Sequence, residues 1–488
     1  MDSPSQANVR SETISDEEGI ASLLLEKVIP PILLKESAGD KSCCIFRIPH
    51  TLGRANNTAY EPKIVSIGPY HRSGDDNEHL KMIEEHKKRY FEFFVSKTNE
   101  NGVNLSHIVD AVSGLEQRIR DSYSENLYFD KQSLIKMMIL DGCFILLLFL
   151  VVSREVEYTK FDDPIFKLRW ILPTLRSDLL LLENQVPLFL LNDLLKTSKL
   201  APSTSVNKLA FRFFNYSVKK PKAFWEKHNN LRAKHLLDLI RKTFVPIWSL
   251  PTTQGQCCIN VSNGPRANSR TETPKNTRFD MKCCSKERNG AQTSSSPPPR
   301  PFLGLIVSAK KLRLRGIRFK RRENVDTPLD IGFKNGLLEI PLLVFDDFIS
   351  SLLINCVAFE QFNMKCSTEI TSYVTFMGCL INKEEDATFL IENGMIENYF
   401  GTGEQISSFF KNIGKEISFS ISKSYLSKVF EGVNKYSAQG YHVQWAGFKY
   451  THFNTPWTFL SSCAALILLL LTIFQAFFAA YAYFRPPN

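Results

Sequence analysis

A chain of 488 residues that is 43% hydrophobic and 12% aromatic can bury a large core, which excludes an intrinsically disordered protein and allows two or three domains. Its net charge of +10 is concentrated: residues 251–300 carry +5 and residues 310–322 carry +8, leaving the remainder at −3. That localisation excludes a nucleic-acid-binding surface spread over the protein, and no nucleic-acid partner is expected.

Met1 to Gly19 is polar and acidic, with no basic stretch leading into an apolar one, so no secretory signal is expected. Ile20 to Leu34 is apolar in parts but interrupted by Glu26, Lys27 and Pro30-Pro31, as in an amphipathic segment. Residues 1–40 are expected to form a polar N-terminal segment ahead of a helical domain at 41–456. After Asp75-Asp76-Asn77, whose side chains favour helix starts, Leu80, Ile83, Tyr90, Phe91 and Phe94 recur at helical spacing. A second stripe follows at Ile108, Val112, Leu115 and Ile119. Met137 to Val152 is an apolar block broken by Asp141-Gly142; short for a bilayer, it predicts a core helix. Asp178 to Leu195 predicts a similar block, with Glu183-Asn184-Gln185 and Pro187 dividing two leucine-rich halves. Further helices are expected near 204–218, 231–242 and 405–436.

Between 251 and 300, Thr, Ser, Asn, Pro and Lys dominate. Such a stretch cannot bury enough apolar surface to offset its ordering entropy, so a disordered insertion is expected. The basic run from Lys310 to Arg322 alternates cations with Leu312, Leu314, Ile317 and Phe319, which predicts a solvated face with the apolar residues turned inward. Its cations (Lys310, Lys311, Arg313, Arg315, Arg318, Lys320, Arg321 and Arg322) are also candidates for contact with anionic lipid headgroups, each contributing on the order of 1 kcal/mol. Leu329 to Pro341 has a strand pattern around Asn335-Gly336, a dipeptide that favours the positive φ angles of a tight hairpin. The fold class expected is therefore mainly α, a large helical domain with a small β element.

From Trp457 to Phe484 there is no charged residue or histidine. A bilayer core of about 30 Å needs roughly 20 apolar residues in a helix, so 457–484 is expected to be one C-terminal transmembrane helix. Trp457 and Tyr481 suit the two interfaces, and Leu466, Leu469 and Phe474 suit the hydrocarbon between them. The expectation is a single-pass protein of the plasma membrane or an endomembrane, with membrane lipids as partners and the bulk of the chain cytosolic. Four Asn-x-Ser/Thr sequons, at Asn56, Asn104, Asn215 and Asn260, would become glycan acceptors only on the other side of the membrane.

Sequence chemistry is sparse. Eleven cysteines, six of them in the adjacent pairs at 43, 257 and 283, do not read as a disulfide framework. The pairs at 257 and 283 also lack the two-residue gap that lets both sulfurs reach one tetrahedral ion. No nucleophile elbow, phosphate-binding loop, His-Glu-x-x-His pair or dinucleotide glycine pattern is present. His79 and His86 are two helical turns apart, about 10 Å, too far for one ion, and are expected to be solvated. Asp346-Asp347 reads as a helix start or turn. Glu183-Asn184-Gln185 reads as a buried hydrogen-bond cluster. The most enzyme-like piece is Ser66-Ile-Gly-Pro-Tyr-His71, where a Gly68-Pro69 turn adjoins Tyr70-His71. A structural turn is the preferred reading there, with a membrane-bound enzyme as the alternative. No catalytic, cofactor or metal residue is assigned, and no enzyme is expected.

Several blocks recur together in an order that resembles the plant family known as domain of unknown function 247. They are Ile45-Phe-Arg-Ile-Pro49, Tyr60 to His71, Leu140-Asp-Gly-Cys-Phe144, Asp178 to Pro187, Gly316 to Lys320, Leu337-Leu-Glu-Ile-Pro341, Asn355 to Gln361 and Pro456-Trp457. The resemblance covers roughly 41–484. It implies membrane association, no defined catalytic mechanism and, from members linked to pollen self-incompatibility in grasses, a recognition role with a protein partner.

Overall fold

The computed structural model describes residue 38 and residues 42–49, 59–72, 78–158, 163–246, 304–399, 401–415, 417–438 and 456–484. The expected insertion at 251–300, and all but residue 38 of the expected N-terminal segment, lie outside the described residues.

The first half surrounds one buried helix. Helices α1 (Glu78–Glu100), α2 (Leu105–Ser113) and α3 (Glu116–Asp121) precede α4 (Lys131–Val152). Next come α5 (Pro164–Lys167), α6 (Ile171–Asp178), α7 (Leu188–Ser198), α8 (Val206–Val218), α9 (Lys222–His228) and α10 (Leu236–Phe244). α1 turns Ile83, Tyr90 and Phe94 inward and leaves Lys81, Glu85, Lys88 and Arg89 in solvent. The stripe expected from Ile108 to Ile119 is split where Gly114 closes α2, although Ile108, Val112 and Ile119 are all buried. α4 starts at Asp130, whose carboxylate accepts from the Ser133 N–H at 2.9 Å. It packs against α1, α2, α7 and α8, and its buried residues run from Leu134 to Leu150. Gly142 permits the close approach of α7, since a Cβ there would collide with Leu194 Cδ1.

The leucine-rich block from Asp178 to Leu195 is not a continuous helix. α6 ends at Asp178, residues 179–186 run through turns, and α7 begins after Pro187. The Gln185 amide donates to Leu179 O and Leu181 O, both at 2.8 Å, capping carbonyls that a helix would have used.

The second half begins with α11 (Ala309–Leu314) and a three-stranded sheet of β1 (Arg318–Arg322), β2 (Gly332–Lys334) and β3 (Leu337–Pro341), ordered β1-β3-β2. β1 lies parallel to β3, with Phe319 opposite Leu338; β2 lies antiparallel, with Phe333 opposite the same residue. The expected hairpin is present: Asn335 and Gly336 take φ of 51° and 73°. β4 (Leu343–Phe345) then pairs in parallel with β5 (Ile396–Asn398), across α12 (Asp347–Phe362), α13 (Glu369–Leu380) and α14 (Glu384–Glu392). The helix expected near 405–436 is two elements, α15 (Gly403–Ile413) and α16 (Ser427–Ser437), followed by α17 (Pro456–Phe484). A continuous apolar core extends from Cys43 to Val433.

Two of the described helices are long and apolar enough to cross a membrane, and they differ in environment. The apolar stretch of α4 is 72% buried inside the protein, whereas Phe459–Tyr481 of α17 is 0% buried. At 1.5 Å per residue the 29 residues of α17 extend roughly 44 Å.

The hairpin offers a direct test of packing. A Cβ at Gly336 would lie 2.5 Å from Tyr436 Cζ of α16, whereas Gly102, also at positive φ, has nothing within 4 Å. Gly102→Ala is expected to cost about 1 kcal/mol from backbone strain alone, and Gly336→Ala about 2–3 kcal/mol, measured by urea denaturation.

Candidate functional site

The segment 62–72 is neither helix nor strand, so its N–H groups need acceptors from elsewhere. Buried side chains supply them. Asp178 accepts from the N–H groups of Lys63, Ile64 and Val65 at 2.8–3.0 Å. Burial raises the Asp178 pKa above the usual carboxylate value, and these N–H donors oppose that rise. Asn184 accepts from the Ile67 N–H at 2.6 Å and donates to Val65 O at 3.0 Å. Asp141, on the middle turn of α4, accepts from the Gly68 N–H at 2.9 Å. Its other oxygen lies 2.8 Å from Lys87 Nζ of α1, and Arg72 approaches the oxygen shared with Gly68 at 3.0 Å. Lys87 and Asp141 are both fully buried, and Lys87 also bonds Ser66 O and Glu84.

Tyr70 and His71 belong to this network. Tyr70 is 6% exposed, with its hydroxyl 3.2 Å from Ser124 Oγ and 3.3 Å from Ile45 O. Burial pushes that phenol above its ordinary pKa. His71 Nε2 lies 3.2 Å from Glu183 Oε2, while Glu183 Oε1 accepts from the Ile48 N–H at 2.5 Å. Gly68, at φ 73°, fits against Gln185 O, which a Cβ would approach to 2.8 Å. The Glu183-Asn184-Gln185 cluster therefore has the buried hydrogen-bonding role expected of it. The arrangement clamps 42–49 and 62–72 onto the turn that follows α6. Neither Tyr70 nor His71 lines the 540 Å³ or the 900 Å³ cavity of the protein.

A second ionic centre joins the two halves. Arg241 of α10 reaches Glu360 of α12 at 2.9 Å and Glu369 of α13 at 3.8 Å, with Asp238 at 3.4 Å. Burial pushes the Glu360 carboxyl up to about 6, although Thr371 donates to it twice at 2.7 Å. His235 caps α10: its Nδ1 accepts from the Asp238 N–H at 3.3 Å, so its Nε2 carries the hydrogen that is donated to Cys44 O at 3.0 Å. Burial drives this ring down to about 4.

The basic run divides between two elements. Lys310, Lys311, Arg313, Arg318, Lys320 and Arg321 are exposed, and Arg315 and Arg322 are half-buried. Leu312 and Ile317 are buried as expected, but Leu314 is 42% exposed and Phe319 is only half-buried, edge-on to Phe389. The reason is the change from helix to strand at Gly316, φ 84°, across which one inward periodicity cannot persist. β1 is also an edge strand, and charged side chains there discourage pairing with another sheet. Arg321 and Arg322 line the 900 Å³ cleft with Lys63, Lys219 and Lys220, and so do Glu323, Asp346 and Asp347. Asp346 is the N-cap of α12, accepting from the Ile349 N–H at 2.7 Å, which is the helix-start role expected.

His86 departs from its expected solvation. Packing of α1 leaves it half-buried, with Nδ1 3.7 Å from Asp163, and burial lowers its pKa. The side chain of His79 and the cysteine pairs at 257 and 283 lie outside the described residues. Among the described residues no three His, Cys, Asp or Glu side chains gather as a metal-binding group. Trp457, Leu466, Leu469, Phe474 and Tyr481 are all exposed on α17.

Sequence reasoning missed Lys87, His235, Arg241 and Glu360. Lys87 left one signal, a lysine on the apolar face of α1 between Ile83 and Tyr90. The fold is that of a mainly helical protein with two small sheets, held by buried polar side chains. A family model described as a plant protein of unknown function, DUF247, matches residues 45–471, and the chain belongs to that family. It is 46% identical over 455 residues to UPF0481 protein At3g47200 of Arabidopsis thaliana, covering 93% of this chain and 89% of the relative. A putative UPF0481 protein of the same plant, At3g02645, is 22% identical over 526 residues, covering 94% and 95% of the two chains. No solved structure matches.

Two measurements test the ionic centres. Lys87→Met leaves Asp141 buried with one cation fewer and is expected to cost about 3–5 kcal/mol; adding Asp141→Leu is expected to cost less than the sum of the two single changes by more than about 1 kcal/mol. The neutral His235 ring contributes stability that is fully present above its ordinary pKa of 6.5 and is lost as pH falls toward its folded value of about 4. Glu360 acts oppositely, contributing below its ordinary 4.5 and fading as pH rises through about 6. Denaturation of the wild type and of His235→Asn, which keeps a cap acceptor, should show up to about 3 kcal/mol less loss in the variant between pH 6.5 and pH 4.

Proposed function

We propose that this protein is a single-pass, membrane-anchored interaction protein whose helical body meets a protein partner at the bilayer surface. The observation that carries the reading is the contrast between α4 and α17. Two helices of similar apolarity occupy opposite environments, one inside the protein and one fully exposed. Each large apolar side chain left in water forgoes roughly 1.5–3 kcal/mol of burial, so α17 calls for a hydrocarbon surrounding. Trp457 and Tyr481 stand where interfacial rings belong, and the exposed cations of α11 and β1 offer contacts to anionic headgroups. The body lies on the cytosolic side, and recognition or signalling is its role.

The interaction reading is supported over catalysis by the use already made of the polar groups at Tyr70 and His71. Tyr70 is bonded to Ser124 and Ile45, and His71 is paired with Glu183, a carboxylate engaged by the Ile48 N–H. Groups so tied hold a turn rather than wait for a substrate.

Membrane fractionation of the full chain tests the reading. The wild type is expected to resist carbonate extraction, to show no glycosidase-sensitive mass and to expose its body to added protease. Removal of residues 456–488 is expected to release it into the soluble fraction. Carbonate resistance that survives the truncation overturns the anchor. A glycan on Asn104, which is exposed at the start of α2, overturns the cytosolic placement.

A further inference from the structure

The 540 Å³ cavity shares no lining residue with α17 or with the Tyr70-His71 turn. Its walls come from Ser42 and Cys44, from α3, from the first turn of α7, from the N-cap of α8 and from the connection between α9 and α10. Among the described residues three cations line it, Arg118, Arg232 and Lys234, and no carboxylate does. The 900 Å³ cleft, by contrast, offsets its cations with three acidic residues. Among the described residues neither Arg118 nor Arg232 makes an ion pair, although both are exposed. Arg118 is held with its guanidinium 3.8 Å from the centre of the Phe189 ring, a stacked geometry that leaves its N–H edges available to an acceptor.

The wall that carries the other two cations is preorganised. The buried Asn207 amide donates to Asn229 O at 2.9 Å and to Leu231 O at 2.8 Å. The Leu188 N–H donates to Lys234 O at 2.7 Å, and the Lys234 N–H donates to Asp238 at 3.0 Å. Arg232 and Lys234 therefore project from a fixed backbone. The first turn of α7 and the N-cap of α8 form part of the wall, so the partial positive charge of two helix N-termini lies near it, of the same sign as the cations. Leu188, Phe189 and Leu231 give the cavity an apolar floor. Its volume suits a small molecule, since such sites run from about 300 to 1,000 Å³.

We infer that this cavity binds a small organic anion, a phosphate, sulfate or carboxylate group on an apolar ring-sized body. The anionic group meets Arg118, Arg232 and Lys234, and the body rests on Phe189 and Leu231.

Calorimetric titration of the full chain in a non-ionic detergent tests it, with phenyl phosphate as the probe and inorganic phosphate and benzyl alcohol as comparisons. Phenyl phosphate is expected to bind at one saturable site, more tightly than either comparison. Arg118→Glu and Arg232→Glu, on separate elements and exposed, are each expected to weaken it by about tenfold or more at unchanged melting temperature. Arg321→Glu, in the other cleft, is expected to leave it unchanged. The inference fails if phenyl phosphate does not bind at about millimolar concentration, if benzyl alcohol binds equally well, or if both charge reversals fold and leave the affinity unaltered.

Discussion

A carboxylate in the middle of the long buried helix α4 sets the terms for much of this fold. Asp141 cannot remain charged inside an apolar core without compensation, because an unpaired buried ion costs several kcal/mol. Lys87 comes from α1, Arg72 and the Gly68 N–H from the irregular segment that precedes α1, and all three converge on it. Satisfying one charge thereby fixes two helices and a turn relative to each other. Asp178 and Asn184 complete the task by accepting the N–H groups of the same segment. The result is a stretch of chain with no regular secondary structure, held as firmly as if it had some.

The same principle operates between the halves of the chain. Asn355 of α12 accepts from the Leu182 N–H at 2.8 Å and donates to Ala59 O at 3.0 Å, and Arg241 joins α10 to α12 and α13. His235 links α10 to the segment at Cys44. These buried polar contacts are directional, so they specify a register that apolar packing alone would leave looser. They also account for most of the polar groups that a search for catalytic residues would select. On the outside are an exposed apolar helix, an edge strand of cations and a cavity lined, among the described residues, by three cations and no carboxylate. Each of those is suited to contact with something other than this chain.

How much of this was legible in the sequence depended on the range of the interaction. Asn335-Gly336 announced its hairpin because the required φ values are intrinsic to those two residues. Asp346 announced a helix start for the same reason. The block at 178–195 was legible at its division, since α7 begins after Pro187, but its first leucine-rich half runs through turns, where the Gln185 side chain captures the carbonyls that a helix would have used. The basic run misled in part, because Gly316 changes the element type within it and strands Leu314 on the surface. His86 was expected in solvent and is packed against Asp163, a partner 77 positions away in sequence.

Sequence alone determined that the chain is mainly helical, that one terminal stretch is long and apolar enough to span, and where the tight turns fall. Those properties reside in neighbouring residues, so local chemistry suffices. Tertiary structure decided which charges are buried and what neutralises them. Lys87 and Asp141 are 54 residues apart, Arg241 and Glu360 119, and His235 and Cys44 191. No local pattern encodes such pairings, because the desolvation that makes them obligatory exists only once the core has closed around them.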